Sequence, residues 1–215
     1  MPHDQLLSRD SSRPTTTKQH LAQRWAQRRL GRIDHELRVI EIASALFDLT
    51  AEHHNLGVAE RRLLLLGAAL HDVGRKVDDK RHPTIGARMI LAGSSLPLTS
   101  SERRCIAYLT RYHRGAVPQI GYDDILSPSD GRKRMRAVLA LLRAADALDS
   151  RQMKPPGLVF ALAGKRLTIN CYLDDATIKS RRFFKRRKKF RLLEDVLGIR
   201  VDLAATHVDK LTSVA

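Results

Sequence analysis

Only two cysteines, Cys105 and Cys171, occur in 215 residues, and no CxxC spacing joins them. That scarcity excludes a disulfide framework and a thiolate zinc site, so any metal must be held by histidine and carboxylate. Long apolar runs are missing as well. The longest, Leu63 to Leu70, contains a glycine and falls far short of the roughly 20 residues that a bilayer span requires. The opening residues, MPHDQLLSRDSSRPTTTK, have no apolar core like that of a secretory signal, so the expectation is a soluble, cytoplasmic protein with no membrane partner. No glycine-rich phosphate loop of the Walker type is present. Acidic residues are outnumbered, 23 against 39 Lys and Arg, and the net charge of +16 favours an anionic partner, be it nucleic acid, polyphosphate, nucleotide or an acidic membrane surface, among which charge alone does not choose.

What is present is a helical pattern. An apolar content of 43% suffices to bury a core. Residues 1–17, rich in Ser, Thr and Arg, read as a disordered tail. A basic helix over Lys18 to Leu30 docks through Leu21 and Trp25, and Asp34 caps a second helix running to about Thr50. The third, about Ala59 to Val73, carries LLLLGAAL; being apolar on all sides it should be buried and central, with His71 and Asp72 in its last turn. His82-Pro83 opens a fourth helix. Thr99 and Glu102 form a capping box for a fifth that ends at Tyr112-His113-Arg114. Residues 115 to 130 are a loop, and a sixth helix spans roughly Arg132 to Arg151. Pro155-Pro156-Gly157 closes the helical part. Beyond it, GLVFALAG and KRLTINCYL read as a hairpin, residues 176 to 197 as helix, and IRVDL as a short strand. The fold class is therefore mainly α, a helical bundle over 18–154 with a small α+β appendage over 155–215.

Helix ends and one helix interior each offer a ligand type flanked by apolar residues: His35, His71, Asp72, His82, His113 and Asp146. Imidazole and carboxylate suit Mn, Fe, Zn, Ni, Co or Mg, and a carboxylate can join two cations, which makes Asp72 the natural bridge. The ordered set H, HD, H, H, D resembles the HD superfamily of metal-dependent phosphohydrolases. HELRVIEIASALFDL, LGAALHDVG, LTRYHRG and LLRAADALDSR are similar to the C-terminal HD region of the exopolyphosphatase/guanosine pentaphosphatase family. HDVGR and HPTIGARMI also resemble the HD-GYP cyclic-dinucleotide phosphodiesterases, but the GYP signature is missing after His113 and Arg75 stands where that group has Lys.

The resemblance implies that His35, His71, Asp72 and Asp146 hold one divalent metal and that Asp72, His82 and His113 hold a second. In a one-metal variant, His82 and His113 bind phosphate instead. Asp149, three residues after Asp146, competes with it and is read as a supporting residue. Hydrolysis would be metal-assisted, with Asp72 central and with Arg75, Arg114 and Arg143 as phosphate contacts. In that family an actin-like ATPase domain precedes the HD region and carries the polyphosphate chemistry; no segment here resembles it, so hydrolysis is expected from the HD site itself. The substrate implied is a phosphorylated small molecule, nucleotide or polyphosphate-like chain. One segment stands apart. KSRRFFKRRKKFR, residues 179–191, has nine Lys or Arg in thirteen positions, and without it the charge would be 16 − 9 = +7. It is either a solvated face or a contact for nucleic acid or polyphosphate, and in the second case the chain is a metal-stabilised, non-catalytic HD scaffold or an enzyme that recruits a polyanion. Its phenylalanines, spaced with Leu193 and Leu197, read as core anchors.

Overall fold

A computed structural model describes residues 3–6, 17–174, 178–184 and 186–207. The helices are α1 (Thr17–Leu30), α2 (Asp34–Leu49), α3 (Val58–Leu70), α4 (His82–Ala92), α5 (Ser100–Tyr112) and α6 (Arg132–Ala147). A sheet and two short helices follow: β2 (Gly157–Ala163), β3 (Arg166–Leu173), α7 (Ile178–Phe184), α8 (Arg191–Leu197) and β4 (Arg200–His207), with β1 (His3–Leu6) from near the start of the chain. The architecture is mainly helical with a small C-terminal α+β appendage.

Helix α3 packs on α1, α2, α5 and α6, and its Leu64, Leu66, Ala68, Ala69 and Leu70 are buried. The all-apolar run thus sits in the middle of the bundle, as its composition requires. Helix α6 is buried over most of its circumference, because the helices face it from one side and α8 from the other. The Thr99–Glu102 box forms as expected: Glu102 N donates to Thr99 Oγ1 at 3.2 Å, and Thr99 N to Glu102 Oε2 at 2.8 Å.

Several sequence expectations are corrected. Helix α1 docks through Ala22, Trp25 and Ala26, while Leu21 is exposed, because the narrow stripe facing α3 runs one residue further along the chain. Asp34 does not cap α2 but is its first residue, accepting from Arg32 Nε at 3.0 Å. Within the expected tail, His3–Leu6 is strand β1, antiparallel to β2, with Leu6 opposite Val159. The free edge of β2 offers unpaired backbone groups to any extended segment, whatever its side chains, so composition does not reveal the pairing. The other tail residues before Thr17 lie outside the described residues.

The sheet order is β1-β2-β3-β4. Strands β2 and β3 form the expected hairpin, turning at Gly164 with φ +54°, and β4 runs parallel to β3. A parallel pair needs a crossover, supplied by the basic segment. That segment is not one helix: α7 and α8 are separated by a 3-10 turn, Arg187–Phe190. Phe184, Phe190, Leu193 and Leu197 are buried, so its apolar residues are anchors.

Candidate metal centre

Three of the four histidines sit at helix boundaries, and the reason is local. His71 follows the last residue of α3 and His113 the last of α5, where backbone carbonyls lack intrahelical donors. Each imidazole takes the carbonyl three residues back: His71 Nδ1 donates to Ala68 O at 2.8 Å and His113 Nδ1 to Thr110 O at 2.7 Å. His82, opening α4, does the same to Asp79 O at 2.6 Å. His35, in the first turn of α2, donates Nδ1 to Asp149 Oδ2 at 2.6 Å, and Arg38 Nε holds the other oxygen of Asp149 at 2.8 Å. With the proton on Nδ1, each neutral ring presents Nε2 as a bare lone pair.

The four lone pairs converge. His35 Nε2 and His71 Nε2 are 3.3 Å apart, and His82 Nε2 and His113 Nε2 are 3.2 Å apart. Asp146 Oδ1 lies 3.3 Å from His35 Nε2 and 3.6 Å from His71 Nε2. Asp72 Oδ1 lies 3.0 Å from His82 Nε2 and 3.5 Å from His113 Nε2, and also 3.9 Å from His71 Nε2. All six residues are buried, and neither Asp72 Oδ1 nor Asp146 Oδ1 has a hydrogen-bond partner. Acceptors facing acceptors at these distances repel unless a cation or a proton lies between them. Atoms held about 2.1 Å from a common cation at angles of about 90 to 110° are themselves about 3.0 to 3.4 Å apart. The two His–His separations, His35–Asp146 and His82–Asp72 fall in that range, and the remaining pairs are wider, at 3.5 to 4.0 Å. Two overlapping ligand groups result, His35 with His71 and Asp72, and Asp72 with His82 and His113. The residues present therefore fit one or two divalent ions.

Charge tells the same story. Burial opposes protonation of His71, but Asp72 and Asp146 outweigh it and raise its pKa to about 9. Burial would raise both carboxylates, yet for Asp72 the surrounding His71, His113 and His82, and for Asp146 the surrounding His35 and His71, hold them well below the usual range. For His113, burial prevails and lowers the pKa. In the absence of a cation, the paired carboxylates are stabilised by a proton on His71, a weaker counter-charge than a dication would be.

Arg75 donates Nη1 to Asp72 Oδ2 at 2.8 Å, and Arg114 Nε lies 3.6 Å from Asp146 Oδ2, so both stand at the cluster. Arg143 is tied beside it: its Nη1 donates to Tyr112 O at 2.7 Å and Gly115 O at 3.0 Å, which fixes the chain on either side of His113, and its charge acts together with that of Asp146. Asp146 and Asp149 divide the work: Asp146 faces the Nε2 atoms, and Asp149 orients His35 from behind. Three participants escaped the sequence reading. Arg38 supports Asp149, Arg151 Nε reaches Asp72 Oδ2 at 3.1 Å, and buried Glu36 pairs with Arg151. Glu36 directly follows His35 in a helix whose buried face it shares, which was the available signal.

A buried cluster of four histidines and two aspartates on a helical bundle defines a candidate divalent-metal centre. Residues 18–172 match the Ppx/GppA phosphatase, domain III family, and the chain belongs to that family. No curated protein matches it. Among the described residues no helix is long and apolar enough to cross a membrane.

Proposed function

We propose that the protein is an HD-type, divalent-metal-dependent phosphohydrolase that cleaves a phosphoester or phosphoanhydride bond of a nucleotide or polyphosphate-like substrate. The observation that carries this reading is the convergence of four Nε2 lone pairs and two unpartnered carboxylate oxygens in one buried cluster. His35, His71, Asp72 and Asp146 would hold one ion, and Asp72, His82 and His113 the other. The ions would supply electrophilic polarisation of a phosphoryl oxygen and a lowered pKa for water. The chain's own residues do the rest. Backbone carbonyls and Asp149 keep the imidazoles in one tautomer, and the apolar helix ends keep bulk water from the ligands. Arg75 and Arg114, each with one edge at the cluster and partial exposure, would take phosphate oxygens.

Elemental analysis of the purified protein, paired with a screen of Mn, Mg, Fe, Ni, Co and Zn against phosphoesters and phosphoanhydrides, tests the reading. We expect one or two ions per chain and turnover that chelator abolishes and metal restores. A chain that retains no ion and hydrolyses nothing with any of them defeats it.

The basic segment favours polyanion recruitment beside this activity. Arg181, Arg182, Arg186 and Lys188 are exposed on one short stretch, while half-buried Lys189 is turned inward. Burial lowers its pKa, and its ammonium stands over the Phe183 ring, 5.0 Å from the centroid. Replacing those four exposed residues with Gln should weaken RNA or polyphosphate binding and flatten its salt dependence by roughly 3 log units of affinity per log unit of salt. Unaltered affinity and slope would assign the charges to a solvated face.

A further inference from the structure

Asp72 does not offer its two oxygens equally. Oδ1 has no hydrogen-bond partner and faces His82 and His113. Oδ2 already receives Arg75 Nη1 at 2.8 Å and Arg151 Nε at 3.1 Å, and this is the oxygen 4.0 Å from His35 Nε2. A carboxylate that joins two cations through separate oxygens needs both lone-pair faces. Here one is open and the other is taken by two guanidinium groups.

The two arginines are anchored differently. Arg75 comes from the turn that carries Asp72 and is tied on its far edge to Asp79 at 2.7 Å, so it belongs to that turn. Arg151 lies beyond the end of α6 and pairs through Nη2 with Oε1 of Glu36. Glu36 is 1% exposed, and its Oε2 has no partner, so it would be left as an isolated buried charge if Arg151 departed. A planar guanidinium resolves this, because its donors are distributed around a fork. Arg151 can keep Glu36 on Nη2 while its Nε exchanges one anionic oxygen for another. The side chain is 25% exposed, which leaves that edge within reach of an incoming anion.

We propose that Arg151, steadied by Glu36, is a built-in counter-cation that makes the two halves of the centre unequal. The His82–His113 half fills first, and the His35–His71–Asp146 half fills firmly only when Arg151 passes from Asp72 to a phosphate oxygen. Arg151 is thereby a positioning residue that couples the second cation to the phosphate. This rests on the metal-centre reading above and adds an order of filling to it.

The test is a titration of metal-stripped full-length protein with Mn²⁺ against a competing chelator, with and without inorganic phosphate, and with Co²⁺ absorption as a second readout. The wild type should show two binding events whose Kd values differ by at least about tenfold, and phosphate should narrow the gap. Arg151→Met should narrow it without phosphate and remove the phosphate effect. The double variant Glu36→Gln/Arg151→Met, which avoids an unpaired buried carboxylate, should behave likewise if the single one folds poorly. Two equal sites in the wild type, or a gap that neither phosphate nor the double variant changes, overturns the proposal while leaving the metal centre standing. A wild type that binds no ion overturns both.

Discussion

Replacing Asp72 with Asn should lower phosphohydrolysis by at least about 10³-fold, the scale expected when a central charge-stabilising group is removed from a buried site. Asp72 is fully buried and lies within 4.0 Å of all four imidazole Nε2 atoms, so both halves of the centre depend on its charge. Asn keeps the volume and one acceptor but loses the charge, and metal content should fall from up to two ions to fewer than one per chain. The fold should survive. Arg75 retains Asp79 and Arg151 retains Glu36, so the cost should stay nearer about 1–2 kcal/mol than the roughly 3–5 kcal/mol of a buried ion broken without compensation. Asp146→Asn is the informative partner. Its Oδ1 faces only His35 and His71 among the imidazoles paired with it, so one ion should be lost and the His82–His113 half retained. Circular dichroism and metal analysis on both variants check this, and normal turnover by Asp72→Asn would remove Asp72 from the chemistry.

The candidate ligands were legible in the sequence chiefly through the resemblance of their ordered set, His35, His71-Asp72, His82, His113 and Asp146, and local rules placed some of them on elements. An all-apolar run leading to His71-Asp72, a His-Pro helix start at His82 and a capping box opening the helix that leads to His113 each put part of the set at a helix boundary. Their partners were not legible for a physical reason. Asp149 orients His35 across 114 residues and Arg151 meets Asp72 across 79, contacts that exist only once α2, α3 and α6 have packed. Arg143 adds a contact of the same kind: its Nη1 is given to the carbonyls of Tyr112 and Gly115 on either side of His113, across 31 and 28 residues, which its place one turn before Asp146 does not reveal. The basic segment was read as one helix from its apolar spacing, yet its chain breaks into α7, a 3-10 turn and α8 so that Phe184 and Phe190 can both be buried. Like-charge crowding along a single helix would oppose the unbroken form.

Gly74→Ala should destabilise the protein by about 3 kcal/mol and detach His82 from the centre in what remains folded. The turn after Asp72 must set the start of α4 against the end of α5 closely enough for His82 and His113 to meet across 3.2 Å. It does so by passing Gly74 directly against the start of α4. A Cβ on Gly74 would fall 2.5 Å from His82 O and 2.6 Å from Gly86 N, and both obstacles are backbone. No rotamer change relieves such a contact, so the helix itself must move. Gly86 offers little room in return, because a Cβ there would already meet Thr110 Cγ2 at 2.9 Å. Helix α4 therefore shifts away from the turn at Gly74, and the first candidate ligand displaced is His82, whose own carbonyl is struck. For a chain of this size the cost corresponds to a fall in Tm of roughly 6–12 °C. Gly157→Ala is the control, since a Cβ there meets nothing nearer than Tyr172 Cβ at 3.5 Å, an ordinary contact. Thermal melts and metal titrations of the two variants separate the cases. A Gly74→Ala protein with unchanged Tm and full metal content would mean that the turn can reach His82 by another path.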